Sequence, residues 1–284
     1  MDKKRKSDIT FDIVCEKYSE GKHGVNIIAA EDFTMTTNGK MYTDFVSHGI
    51  PYQYHYPIIM MVKAGRIDDT INMEDVTCHA GDIMLMKSYT IIETKGISSD
   101  FDFVSVGFNE EVLVDENIFY HASQTEMLEM DQMFQVLWTI SNHKPFRKET
   151  VRAQMAAIVS NFKDLAYKNN TIALEQTSGD ERICKRFKEL VCKYADRERD
   201  VAFYADQLCV SSNYLSKVVS RVSGSTVTQW INRATVLHAK VLLKTTDLMT
   251  YQIADQLNFT DQATFSKFFK RETGISPREF RKGK

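Results

Sequence analysis

Two short stretches of this chain carry side chains suited to hydrogen bonding against the edge of a base pair. In the first, Ser212, Asn213, Ser216, Lys217 and Ser220 recur at helical spacing, with Arg221 beside them. In the second, Gln262, Ala263, Ser266, Lys267 and Lys270 do the same, followed by Arg271. Both faces are small, polar and basic, and neither includes an acid. Asn and Gln can form paired hydrogen bonds with adenine, and Lys can reach guanine or phosphate. Bulky or anionic side chains on such a face would clash with a duplex or be repelled by it. One polar helix face is usually just a solvated surface, so the weight rests on what surrounds the pair.

The two faces belong to an internal repeat. Ala205-Asp206-Gln207-Leu208 recurs as Ala254-Asp255-Gln256-Leu257, an offset of 49 residues. Ser216-Lys217 matches Ser266-Lys267, Arg221 matches Arg271 and Gly224 matches Gly274, each at an offset of 50, so the second copy has one extra residue in its turn. Duplication on this scale means two similar supersecondary units. Each reads as helix, turn, helix. In the first, Val201 to Leu208 is a short helix, Cys209-Val210 is the turn and Ser211 is the N-cap of the next helix. In the second, Tyr251 to Leu257 is the short helix, Asn258 takes the left-handed position that Asn tolerates, and Thr260 or Asp261 caps the helix that follows. Leu215, Val218, Val219 and Val222 should face the core in the first unit, and Phe265, Phe268 and Phe269 in the second.

Between the units, Thr226 to Leu243 reads as one unbroken helix. At 1.5 Å per residue it spans about 27 Å. A spacer of that length can hold two recognition helices about one DNA turn apart, near 34 Å. Its N-terminus, and that of a final helix capped by Ser276 with Pro277 at the first position, are expected phosphate contacts.

Charge agrees with this placement. Residues 180–284 carry 19 Lys and Arg against 12 Asp and Glu, a net +7, whereas residues 1–179 carry 17 against 26, a net −9. A basic part joined to an acidic part suggests that only one of them meets a polyanion. No apolar run approaches the roughly 20 residues of a membrane span. The basic start, Met1-Asp2-Lys3-Lys4-Arg5-Lys6, is not followed by a signal-type apolar stretch, so a cytoplasmic protein is expected. The five cysteines (Cys15, Cys78, Cys184, Cys192 and Cys209) include no CxxC pair, which points away from a disulfide framework or zinc site. Cys184 and Cys192 read as small buried residues of one helix.

From this pattern the C-terminal part is identified as resembling the AraC/XylS family of bacterial transcription regulators. The family signature appears as Ile253-Ala254, Leu257, Phe259, Asp261-Gln262, Phe265-Ser266-Lys267, Phe269-Lys270-Arg271, Gly274, Ser276-Pro277 and Phe280-Arg281. The first unit matches through Ala205, Leu208, Ser211, Tyr214-Leu215-Ser216-Lys217 and Gly224, and the connecting helix through Ala239-Lys240 and Leu242-Leu243. Three departures stand out. Asn258 replaces the usual Gly, Thr235 stands where many members carry Arg, and Val218-Val219-Ser220 replaces an aromatic-Lys pattern. The resemblance implies sequence-specific binding of double-stranded DNA, homodimerisation, a small-molecule effector and RNA polymerase as a further partner.

The N-terminal half carries weaker signals. From Phe33 to Phe108, short runs rich in β-branched and aromatic residues, such as Ile58-Ile59-Met60-Met61-Val62 and Ile83-Met84-Leu85-Met86, suggest a small antiparallel sandwich or barrel. The family resemblance makes it cupin-like. Tyr52, Tyr54, His55 and Tyr56 line either an effector pocket, the core or an interface. Two helical stretches follow, Glu126 to Ser141 and Lys148 to Tyr167, the second ended by Lys168-Asn169-Asn170-Thr171. They read as a hairpin that packs on the β domain, forms a dimer, or does both. The polar stretch Glu175 to Asp180 reads as a linker.

The expected fold class is therefore an α+β multidomain chain. An N-terminal antiparallel, cupin-like β-barrel with a helical hairpin precedes an all-α domain with two helix-turn-helix units. The boundaries are 1–120 for the sensing domain, 121–174 for the hairpin, 175–181 for the linker and 182–284 for the DNA-binding domain. A β domain used only for dimerisation or protein contacts is the alternative. A cupin enzyme would need clustered metal ligands, and His48, His55 and His79 are scattered, so no catalysis, cofactor or metal is expected.

Overall fold

The computed structural model describes residues 8–9, 26–30, 33–37, 49–108, 114–175 and 178–283. Cys15, His48 and the basic start of the chain lie outside the described residues. The chain divides into two compact units, one of residues 8–171 and one that includes residues 172–284.

The first unit holds eleven described strands. They are β1 (Asp8–Ile9), β2 (Asn26–Ala30), β3 (Phe33–Thr37), β4 (Pro51–Tyr54), β5 (Ile58–Ala64) and β6 (Arg66–Ile71). After them come β7 (Glu74–His79), β8 (Asp82–Met86), β9 (Ile91–Ile97), β10 (Asp102–Phe108) and β11 (Ile118–His121). They form a five-stranded sheet in the order β1-β4-β9-β6-β7 and a six-stranded sheet in the order β11-β8-β5-β10-β3-β2. All pairings are antiparallel except that of β1 with β4, which is parallel.

The continuous apolar runs have a direct cause. The six-stranded sheet is covered on both faces, and strands buried on both faces read as unbroken hydrophobic stretches. On one side Ile58, Met60, Val62, Met84 and Met86 pack with Ile67, Ile71 and Ile92 of the other sheet. On the other side Ile59, Met61, Ile83, Leu85, Val104 and Val106 pack under two helices.

Those helices are α1 (Gln124–Ser141) and α2 (Lys148–Glu175). Ser123 and Glu126 close a capping box at the start of α1. Met130, Phe134 and Leu137 of α1 and Val151, Met155, Ile158, Val159 and Phe162 of α2 all enter the same core. Helix α2 runs eight residues past Tyr167, through the polar stretch expected to end it. Lys168-Asn169-Asn170-Thr171 contains no Gly or Pro, and polarity alone does not stop a helix.

The described elements of the second unit are helices: α3 (Gly179–Tyr194), α4 (Val201–Gln207), α5 (Ser212–Ser223), α6 (Val227–Thr245), α7 (Thr250–Gln256), α8 (Gln262–Thr273) and α9 (Pro277–Lys282). The stretch read as a linker is shorter than expected. Ser178 already accepts from the Glu181 backbone N–H while the Glu181 carboxylate accepts from the Ser178 N–H, a capping box that starts α3. Cys184 is buried as expected, whereas Cys192 is half-buried.

One interior group was not anticipated. Asp69 shares its side of β6 with Ile67 and Ile71 and is buried. Its carboxylate accepts a 2.6 Å hydrogen bond from the Thr94 hydroxyl. Burial pushes its pKa up to about 6, and Asp68 nearby adds to the rise against the lowering effect of Thr94. The folded protein thus binds this proton more tightly than the unfolded chain, whose value is 3.8. The folded state must hold a buried anion above pH 6, and this cost is relieved as pH falls toward 4. Wild-type protein should therefore gain about 1 kcal/mol from this group between pH 7.5 and pH 5. Asp69→Asn should lack that gain in urea denaturation followed by circular dichroism. Identical pH profiles for the two proteins would refute the assignment.

Candidate nucleic-acid interface

The two repeats fold into matching helix pairs, α4 with α5 and α7 with α8. Helices α4 and α7 have seven residues each. Each ends in the same hydrogen-bonded reversal. The Cys209 N–H bonds the Asp206 carbonyl and the Val210 N–H bonds the Ala205 carbonyl, both at 3.0 Å. In the second copy Asn258 N–H bonds Asp255 and Phe259 N–H bonds Ala254, at 2.9 and 2.8 Å. This is a Schellman closure, and it needs a left-handed residue just after the cap. Cys209 and Asn258 supply it, both at φ 54°. Residue type signals this requirement at Asn258, whereas the Cys209 side chain gives no such hint. The two left-handed residues are 49 apart and the N-caps Ser211 and Asp261 are 50 apart, so the extra residue sits between them.

Helices α5 and α8 have twelve residues each and end at Gly224 and Gly274, at φ 68° and 81°. The matched glycines of the repeat are thus left-handed C-caps. Ser211 accepts from the Tyr214 N–H, and Asp261 accepts from the Thr264 N–H at 2.7 Å. That backbone bond holds the Asp261 carboxyl below the usual carboxylate range. Leu215, Val218, Val219, Phe265, Phe268 and Phe269 are buried, but Val222 is 39% exposed. Val222 lies in the last turn of α5, two residues before Gly224 turns the chain away.

Helix α6 lies between the pairs. Thr226 caps it in a capping box with Gln229. It has 19 residues, which span about 28 Å. Ile231 and Ala234 are buried nearer its start, while Ala239, Leu242 and Leu243 join the core formed by Ile253, Leu257, Phe265 and Phe269. Thr235 is fully buried, and its hydroxyl bonds the Ala195 carbonyl at 3.0 Å. At the position where many AraC/XylS members carry Arg, this chain therefore has a packing contact. Ser276 caps α9 with Glu279, and Pro277 occupies the first turn as expected.

The side chains singled out in sequence are brought together on two outward faces. Ser212, Asn213, Ser216 and Lys217 are exposed on α5, as are Gln262, Ala263, Lys267 and Lys270 on α8. Ser266 is half-buried. Lys217, Lys267 and Lys270 have no ion-pair partner among the described residues. The two arginines are engaged elsewhere. Arg221 forms an ion pair with Asp180 of α3, which also accepts a 2.9 Å hydrogen bond from the Tyr214 hydroxyl. Arg271 pairs with its neighbour Glu272 at 2.6 Å. The faces carry no acid of their own, but α3 brings one to the edge of α5. Asp180 was missed, although the Ser178-x-x-Glu181 box was a legible signal that it sits in a first helical turn.

In the first unit, Tyr54 is buried among the inter-sheet residues, edge-on to Tyr56 at 5.9 Å, and Tyr52 packs on the same cluster. The His55 ring lies 5.1 Å from that of Tyr89. A cleft of about 480 Å³ lies elsewhere, lined by Met35, Phe103, Phe134 and Trp138 with Lys63, Asp102 and Asp131. Among the described residues no group of three or more His, Cys, Asp or Glu could hold a metal ion, and no helix is long and apolar enough to cross a membrane.

Residues 204–283 match a family model described as a helix-turn-helix domain. The arabinose operon regulatory protein of Escherichia coli K12 is 34% identical over 104 residues, covering 37% of this chain and 36% of its own length. The chain spans about a third of the length of the arabinose regulators it matches. The Msm operon regulatory protein of Streptococcus mutans is 23% identical over 239 residues, covering 79% of this chain and 84% of its own. Among solved structures, ToxT of Vibrio cholerae is 13% identical with a TM-score of 0.42, covering 88% of this chain and 97% of that one. The C-terminal helices are a helix-turn-helix domain of the AraC type.

The Asp180–Arg221 pair has a measurable consequence. While the Asp180 carboxylate occupies it, the Arg221 guanidinium is not available to another anion. Asp180→Asn should steepen the salt dependence of binding to a random-sequence duplex by about one unit of log–log slope. An unchanged slope would mean that Arg221 does not face phosphate even when released.

Proposed function

We propose that this protein is a transcription regulator that binds a specific duplex operator through both helix-turn-helix units. The observation that carries this reading is the pair of exposed, acid-free faces on α5 and α8, mounted on the single helix α6. Asn213 on α5 and Gln262 on α8 are the base readers, assisted by Ser212, Ser216, Ala263 and Ser266. Lys217, Lys267 and Lys270 contact phosphate or guanine. With both arginines held by carboxylates, α8 offers two free cations and α5 one, so the second unit contributes more of the electrostatic binding.

The 8–171 unit is read as a cupin-like sensing and dimerisation domain. Its two facing sheets support the barrel reading, and the space between them is filled by side chains such as Tyr54, Met60, Met84 and Phe101. A small-molecule effector is therefore better served by the cleft between β3, β10 and α1, whose volume falls within the range of ligand sites. Its wall includes the 2.6 Å Lys63–Asp131 pair that ties β5 to α1, so a ligand there would bear directly on α1. Leu128 and Val136 are 66% and 49% exposed on the side of α1 away from the sheet, which supports a homodimer through this helix. A regulator of this kind acts in the cytoplasm alongside RNA polymerase. An effector that favours one arrangement of the two units would shift operator affinity.

The full chain should bind duplex DNA with a steep inverse dependence on salt. Salt-independent or absent binding would overturn the proposal. Gln262→Ala and Asn213→Ala should relax base preference at a few positions more than they weaken binding overall. Equal loss on every sequence would remove both from the list of readers. A ligand found by thermal shift in a metabolite panel should lose its shift in Trp138→Ala. An unchanged shift would place the effector elsewhere.

A further inference from the structure

We infer that Asn258 and Arg199 form a strut between the two helix-turn-helix units, and that this strut sets the spacing between the half-sites the protein accepts. The inference rests on the duplex-binding reading proposed above. Neither residue belongs to a recognition face. Both are positioning residues that act through the helices they hold.

The strut begins in the loop between α3 and α4. That loop is pinned at several points. The buried Thr235 hydroxyl bonds the Ala195 carbonyl at 3.0 Å, which ties the loop to α6. The Tyr204 hydroxyl donates to the Glu198 carbonyl at 2.7 Å, and Asp200 caps α4 through the Ala202 N–H at 3.0 Å. The backbone that carries Arg197 and Arg199 is therefore part of the first helix-turn-helix unit.

From this base three contacts cross to the second helix-turn-helix unit. The Asn258 side-chain amide donates to the Arg197 carbonyl at 3.0 Å. The Arg199 guanidinium donates to the Asn258 carbonyl and lies over the Phe259 ring, 3.8 Å from its centroid. A planar guanidinium suits both tasks at once, since it donates in its plane and stacks on its face. Phe259 in turn packs against Phe265 and Phe268 of α8, at 5.1 to 5.3 Å between ring centres. Movement of Arg199 is thus transmitted to the second recognition helix by direct contact.

The strut explains why Asn stands at a left-handed position that Gly would occupy with less strain. Gly satisfies the Schellman closure and leaves the Arg197 carbonyl without this donor. Asn satisfies both. Helix α6 packs into both helix-turn-helix units and joins them along one line, and rocking of either unit about that line is the freedom this leaves. The second connection, through Arg199 and Asn258, removes that freedom. Two recognition helices with a fixed separation accept one half-site spacing, whereas a hinged pair accepts several.

The test is selection of duplexes from a random-sequence pool by the full-length protein, followed by sequencing and binding measurements. Wild-type protein should enrich two half-sites at one spacing. It should lose at least about tenfold in affinity when one base pair is inserted between them. Asn258→Gly and Arg199→Ala should enrich the same half-sites at two or more spacings, with less than about threefold loss on the insertion. Asn258→Gly relieves the left-handed strain, so its melting temperature should not fall, which separates loss of the strut from loss of the fold. A single spacing and an undiminished insertion penalty in both variants would overturn the inference and leave duplex binding intact. Failure of the wild type to enrich any duplex would overturn the duplex-binding reading, and this inference with it.

Discussion

Helices α4 and α7 are seven residues long, well under the length at which a helix persists in water without tertiary support. Each is held by packing, and α6 provides packing for both units. Its first half buries Trp230, Ile231 and Ala234, and its second half buries Ala239, Leu242 and Leu243. Because one rigid element contributes to two cores, both recognition helices are carried on the same support. The buried Thr235 between the two halves extends that constraint to the α3–α4 loop, and from there to Asn258. The AraC-type domain is in this sense two repeats and one shared support.

Much of this was legible in sequence because it depends on local chemistry. Helix caps are short-range events, so Ser211 and Ser276 are assigned from residue type and position, Asp261 is one of two candidates beside Thr260, and Thr226 reads as the start of the helix that it caps. The glycines at Gly224 and Gly274 follow from the need for a left-handed residue at the end of a helix. The one-residue difference between the repeats pointed to the longer turn after Asn258. What escaped the reading depends on contacts distant in the chain. Nothing near Arg221 in sequence shows that Asp180 will reach it, and nothing near Thr235 shows that Ala195 will accept from it. Cys209 is a different case. Its left-handed backbone is imposed by the Schellman closure that ends α4, and cysteine is a residue type that rarely signals it.

The 8–171 unit illustrates the limits of periodicity. Ile58–Val62 and Ile83–Met86 were recognisable as strands, yet an unbroken apolar run cannot say which residue faces which partner. The structure resolves this by covering both faces of the six-stranded sheet, one by the other sheet and one by α1 and α2. Alternation along β6 would have placed Asp69 inward beside Ile67 and Ile71, and that signal was available. Sequence alone leaves the aromatic residues Tyr52, Tyr54, His55 and Tyr56 open between pocket, core and interface. Burial of Tyr54 and Tyr56 among inter-sheet residues favours the core for those two side chains.

The central claim is that one shared helix presents two readers to the same side of a duplex. Hydroxyl-radical footprinting of the full-length protein on a selected duplex tests this most directly. The account predicts two protected patches about one helical turn, or 10 to 10.5 base pairs, apart on one face of the DNA. A single patch, or two patches on opposite faces, would contradict it.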